Sequence, residues 1–264
     1  MITLKGMTWD HSRGYDPMIV TSKVFAEQHN NEVSIEWDKR SLQAFADRPI
    51  AQMVEEYDLM VIDYPHVGEV SAKGLLQNLD VEKYSKALES LQKQSVGLSH
   101  QSYNIDGHQW ALALDAATQV SCYRGDLITS LPKNWDDLFQ LSQNKKVIWP
   151  LKPVHAISSF YSIYNNITEE FEPINKDFIQ NDFGVKTLQM MKLISQHLPS
   201  ECFDMDPIKT AEILSEHNDF YYSPYTYGFS NYSRIDYRKN LLTYGNVIDL
   251  SGKGPHGTHL GGTG

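Results

Sequence analysis

Cysteine is nearly absent: Cys122 and Cys202 are the two in a chain of 264 residues. They permit at most one disulfide, and their spacing matches no metal-ligand pattern, so either a bridge or two buried thiols is open. The chain also lacks any apolar run approaching the roughly 18 residues of a membrane-spanning helix. Basic residues are in the minority, 23 against 33 acidic, for a formal charge of -10. They are scattered, with Lys145 and Lys146 the nearest approach to a cluster, which excludes a phosphate-backbone partner such as nucleic acid. Neither the dinucleotide-binding glycine pattern nor a P-loop occurs, so Gly14 is not part of a phosphate cradle. No His-Glu-x-x-His, paired Cys/His spacing or Gly-x-Ser-x-Gly elbow is present, and no metal or cofactor is predicted. The first residues enter a strand pattern directly instead of a signal peptide, which leaves either a removed leader or a cytoplasmic protein.

What remains is an ordinary globular composition, 41% hydrophobic and 21% charged, without repeats or long linkers. Residues 2–8 read as a buried strand, and Asp16 with Pro17 as the cap and first position of a helix. Ile19, Val20, Val24 and Phe25 follow at helical spacing. Residues 33–37 alternate as a second strand, and 41–56 as a helix broken at Pro49. The near-continuous apolar run 57–63 predicts a central strand of a covered parallel sheet. Strand and helix thus alternate, which implies right-handed crossovers in an open α/β sheet. After a helix within 75–91, long strands over 96–103 and 108–122 are expected to meet at the Asp106-Gly107 hairpin signal. Asn134 caps a helix with Asp136 and Asp137 in its first turn. Residues 146–149 and 219–222 read as strands; 156–164, 183–197 and 207–216 read as helices. The division is two α/β lobes with crossings near residues 114–118.

Several strand ends carry chemistry. Trp9, His11 and Arg13 follow the first strand, where open α/β sheets receive ligands. Trp9 could stack on a ring and Arg13 could pair with a carboxylate or hydroxyls, or Arg13 could simply pair with Asp10 or Asp16. Asp63 and His66 stand at the end of the third strand, with Asp63 either a hydroxyl acceptor, a helix cap or a partner of Arg13. Asp115 and Gln119 bracket small residues at the crossing, which suit a hinge. Trp149 ends a short strand before a helix N-terminus near His155, itself a source of unsatisfied amides. Tyr225 and Tyr227 lie in an aromatic stretch read as a loop, before a glycine-rich tail holding His256 and His259.

These features resemble the extracellular solute-binding proteins of ABC importers, the group that includes sugar binders. The resemblance rests on the opening 5–10, the strand end 58–63 and the helix start at Pro132, Trp135, Asp136 and Leu138. It rests also on the stretch 225–232 and the returning segment 260–264. It implies a two-lobed periplasmic-binding-protein-like (type 2) α/β fold with a hinge: lobe 1 over 1–114, lobe 2 over 115–258, and a return segment over 259–264. Family members continue beyond that segment, so a truncated chain is expected. The implied activity is capture of a carbohydrate or a hydroxylated or carboxylated solute in an interlobe cleft, without catalysis or cofactor. The predicted ligand residues are Trp9, His11, Arg13, Asp63, His66, Asp115, Gln119, Trp149, Tyr225 and Tyr227. Partners would be the solute and membrane permease subunits, the protein a monomer, its location periplasmic or extracellular. The rival reading is an enzyme with His11 or His66 as general base, paired with Asp63.

Overall fold

Strand β1 (Ile2–Trp9) lies between two parallel neighbours, β2 (Val33–Arg40) and β3 (Leu59–Met60), in the order β2-β1-β3. Parallel strands need a crossover, and helix α1 (Ser12–Gln28) supplies the first. The computed structural model describes residues 1–41, 48–168, 179–254 and 257–264. They divide into two compact units, Met1–Ala116 with Gly261–Gly264 and Ala117–Leu260.

In the first unit, β1 is buried only towards its end: Met7 and Trp9 are enclosed while Ile2 is exposed, a correction to the uniformly buried strand expected. The run 57–63 forms a two-residue strand at the side of the sheet instead of a long central one. It nevertheless follows β1, through the amide of Asp58 to the carbonyl of Lys5 (2.8 Å) and that of Val61 to Met7 (2.9 Å). Its other side is taken by the end of the chain, where Ile62 and Gly264 exchange amide–carbonyl bonds of 2.8 and 3.0 Å. Asp63 and Thr263 form an antiparallel bridge. That double flank explains why Val61 and Ile62 are apolar and buried.

The start of α1 differs from expectation. His11 is the cap, its Nδ1 accepting the amide of Arg13 at 3.1 Å, and the Thr8 hydroxyl donates to the carbonyl of Gly14 at 3.1 Å. Capping upstream leaves Pro17 inside the helix and Asp16 without the cap role. The buried face is made of Gly14 and Ser22, while Ile19, Val20 and Val24 are exposed. Two indoles require small residues there. A Cβ on Gly14 would fall inside the Trp9 ring, and Trp37 Nε1 donates to the Ser22 hydroxyl at 2.7 Å. Of the helix expected over 41–56, residues 42–47 lie outside the described residues, and a single turn, Ile50–Met53, follows Pro49. The hairpin signal holds, with Asp106 and Gly107 both at positive φ (55° and 81°), as a two-residue primed turn demands. Its strands, β4 (Asn104–Ile105) and β5 (His108–Gln109), are two residues each and not the long pair expected.

The second unit is built on the antiparallel order β7-β6-β8, with β9 (Leu260–Gly261) also beside β6 (Ala117–Tyr123). The tyrosine-rich stretch read as a loop is strand β7 (Tyr222–Tyr227), and β8 is Thr243–Gly245. β-branched and aromatic residues suit a pleated, covered surface, and five successive β7 residues are buried. Residues 146–149 contribute an isolated parallel bridge, Val147 to Tyr222. Helices Trp135–Gln143, Pro153–Ile167, Asn181–Ser195 and Pro207–Glu216 surround the sheet segments. Asn134 caps the first as predicted, its side chain accepting from the Asp137 amide at 2.8 Å. The Asp137 carboxylate accepts from the Lys133 amide in return (2.9 Å), a reciprocal capping pair. Arg124, fully buried, donates to the carbonyls of Leu214 and His217 at the end of helix Pro207–Glu216 and pairs with Asp126. A cation there also complements the helix dipole. Both cysteines are unbridged and buried, and burial pushes the Cys122 thiol up to about 12.

Candidate functional site

Three of the residues singled out in the first unit form one stack at the end of β1. The Trp9 and His11 rings lie 4.8 Å apart at an interplanar angle of 7°, and the Arg13 guanidinium is 5.5 Å from the indole centre. Burial, followed by the charge of Arg13, lowers the His11 pKa. Arg13 does not pair with Asp10, which is bound by Lys39 at 2.9 Å. Its Nη2 donates instead to Asp115 Oδ2 at 2.5 Å, joining two predicted site residues 102 positions apart. The other oxygen of Asp115 accepts from the Thr263 amide (2.7 Å) and hydroxyl (3.2 Å). Asp115 therefore fixes both Arg13 and the returning end of the chain.

Asp63 stands beside this arrangement, with its backbone bridged to Thr263. Among the described residues its carboxylate accepts no hydrogen bond; it caps neither the 3-10 turn Tyr64–His66 nor pairs with Arg13. Burial, then the charge of Asp115, raises its pKa from 3.8 to about 6. Tyr103, which sequence reasoning missed, completes the group. Its hydroxyl donates to the Gly262 carbonyl at 3.1 Å, and burial with the charges of Asp63 and Asp115 raises its pKa. Its ring leaves no room for a Cβ on Gly264, which would come within 2.7 Å. His66 ends the turn after Asp63, half-buried, with no hydrogen bond between the two side chains among the described residues.

In the second unit, three of the four residues singled out are interior. Gln119 donates to the Ser159 hydroxyl (3.1 Å) and accepts from that of Ser162 (2.6 Å). Trp149 Nε1 also donates to Ser159 at 3.1 Å, and the Trp149 ring stacks on Tyr225 at 5.7 Å. Trp149 and Tyr225 belong to the core with Trp135, Leu138 and Ile163. Tyr227 is the half-buried exception, its hydroxyl 3.0 Å from His259 Nδ1. The His259 ring stacks on Tyr161 (6.0 Å, 17°), and its amide donates to Ser162 at 2.8 Å. Desolvation lowers the His259 pKa. Tyr161 and His259 thus form a polar aromatic group with Tyr227. His256, paired with His259 in the sequence reading, lies outside the described residues.

The two units define an α/β periplasmic-binding-protein fold, the fold of ABC-importer solute-binding proteins. Maltose-bound MalE3 of T. maritima matches all of the chain with a TM-score of 0.77 at 14% identity, the chain covering 71% of that protein. A D-mannitol-bound solute-binding protein of Agrobacterium vitis matches all of the chain with a TM-score of 0.72, at 14% identity and over 67% of its own length. A periplasmic solute-binding protein of Pectobacterium atrosepticum matches 96% of the chain with a TM-score of 0.71, at 13% identity and over 67% of its own length. No protein-family model and no curated protein matches the chain. Likeness at such identities establishes a fold, and function has to be argued from the site. Among the described residues, no helix is long and apolar enough to cross a membrane.

Proposed function

We propose that this protein is the substrate-binding component of an ABC importer and captures a small hydroxylated or carboxylated solute, a carbohydrate, polyol or sugar acid. The carrying observation is the Asp63 carboxylate, half-buried at a strand end and accepting no hydrogen bond among the described residues. A carboxylate so placed lacks the donors that normally repay desolvation, and solute hydroxyls would supply them. Arg13, oriented by Asp115 and by the Trp9–His11 stack, brings a cation to the same end of the sheet. Within the second unit, Tyr227, Tyr161 and His259 form an aromatic group with a polar rim, of the kind that sugar recognition requires. His66 and Asp115 belong to the surroundings of Asp63, whereas Gln119, Trp149 and Tyr225 support that aromatic group from within.

This reading implies membrane permease subunits as partners, a monomer, and a periplasmic or extracellular location; the fold similarities support it. The enzymatic rival needs a histidine in hydrogen-bond reach of Asp63. His11 instead spends Nδ1 on its own helix, and His66 makes no such bond. Calorimetry of the folded chain against maltose, mannitol, ribitol and glucuronate is the test. At least one should bind, and Asp63→Asn should weaken it roughly tenfold, the value of a charged hydrogen bond. A folded chain that binds none of these, or an Asp63→Asn variant with unchanged affinity, removes the proposal.

A further inference from the structure

The donors that surround Asp63 are engaged by other groups. The Tyr103 hydroxyl donates to the Gly262 carbonyl at 3.1 Å, and the Tyr64 amide goes to the same carbonyl at 3.1 Å. The amide and hydroxyl of Thr263 both go to Asp115 Oδ1, at 2.7 and 3.2 Å. Arg13 Nη2 holds the other oxygen of Asp115 at 2.5 Å. Among the described residues no ion pair reaches Asp63 itself. Burial and the like charge of Asp115 act on its carboxylate, and both disfavour the ionised form.

The chemistry that complements this arrangement follows from the inventory of donors and acceptors. A hydroxyl brings one donor but also two acceptor positions, and the donors named above are not available to meet them. A solute carboxylate would set a third negative charge beside Asp63 and Asp115, against a single guanidinium. An ammonium group has three donors and no acceptor, and its charge opposes that of both carboxylates. Its hydrogen bonds to a carboxylate are also roughly twice as strong as those between neutral groups.

We propose that the solute captured at Asp63 carries a primary amine beside its hydroxyls, as an amino sugar or amino polyol does, a narrowing that rests on the solute-capture reading. Asp63 receives the ammonium group, and Asp115, still holding Arg13, adds its field. Calorimetry of the full chain at pH 7 with two matched pairs tests it: 1-amino-1-deoxymannitol against mannitol, and glucosamine against glucose. In at least one pair the amine should bind roughly tenfold more tightly, the difference between a charged and a neutral hydrogen bond. Asp63→Asn should bring that ratio to within about twofold, whereas Glu27→Gln, on the exposed face of α1, should leave it unchanged. Circular dichroism checks that both variants fold. Equal affinities within both pairs, an amine preference that survives Asp63→Asn, or an equal loss of preference in the two variants overturns the inference and leaves solute capture standing. The last of these would reduce the preference to diffuse attraction by the protein's net charge of -10. Absence of binding by all of these solutes and by the panel above removes both readings.

Discussion

In Met1–Ala116 with Gly261–Gly264, the polar side chains near the strand ends meet across long sequence distances, Arg13 to Asp115 and Asp115 to Thr263, and one carboxylate, Asp63, accepts no hydrogen bond among the described residues. In Ala117–Leu260 the corresponding polar groups are drawn inward and close on one another: Trp149 and Gln119 share Ser159, and Gln119 and His259 share Ser162. The first unit leaves a half-buried carboxylate without a protein donor; in the second Gln119, Trp149 and His259 close on serine hydroxyls, while the Tyr225 hydroxyl is buried with no hydrogen-bond partner among the described residues. The difference teaches that similar residue types at strand ends divide between recognition and packing according to how deeply each is enclosed: Asp63 and Tyr227 are half-buried, whereas Trp149 and Tyr225 are fully buried.

Breaking the closed network should have the largest effect. Trp149→Ala removes a fully buried ring that stacks on Tyr225 and bonds Ser159, and about 3–5 kcal/mol of stability should be lost. Urea unfolding followed by circular dichroism measures it, and a loss below about 1 kcal/mol would contradict the packing role. In the first unit Gly14→Ala places a methyl group in the Trp9 indole, for a cost of about 1–3 kcal/mol. The variant should also weaken solute binding, since Arg13 rides on the same stack; a calorimetric titration alongside the unfolding curve separates the two effects.

The sharpest contrast is in pH. Asp63 has a raised folded pKa, so its contribution to stability is full below 3.8 and is lost as pH rises through about 6. Asp63→Asn should therefore match the parent near pH 3.5 and exceed it at pH 7 by about 1–2 kcal/mol, the shift discounted for the part of the carboxylate that water reaches. His155, at the start of helix Pro153–Ile167, has the opposite sign. Burial depresses its pKa from 6.5 to about 4, so its contribution is full above 6.5 and is lost as pH falls through about 4. His155→Gln should flatten the acid limb of the stability–pH curve, and an unchanged limb would refute the assignment. The smallest effect belongs to Asn134→Ala, which loses the cap to Asp137 for about 1 kcal/mol. A calorimetric melting curve reads it.

Local chemistry was legible. The cap at Asn134, the primed turn at Asp106-Gly107 and the alternation of strand and helix follow from rules that operate within a few residues. Errors arose where a distant partner decides. Nothing within a few positions of Asp16 reveals that His11 caps the helix first, or that the indoles of Trp9 and Trp37 make glycine and serine the buried face. Residues 219–222 read as a strand and the aromatic residues after them as a loop, but pairing with the distant β6 carries the strand on through Tyr227. Arg13, Asp63 and Asp115 were each identifiable, but their association was not, because Asp115 joins Arg13 only through the fold. Tyr103 carries no signal in a single sequence, because its importance comes from the chain end packed against it.

That chain end also bears on the order of events during synthesis. Ala117–Leu260 is continuous and contains its own core, so it can fold as soon as it has been made. The first unit cannot finish until Gly261–Gly264 arrives, because Ile62, Leu114 and Asp115 find hydrogen-bond partners there. Its closing contacts span more than 140 residues, as with Thr263 and Asp115 at a separation of 148, and long-range closure is slow. Of the two units, the one whose strands come earlier in the sequence should therefore be the one that matures later.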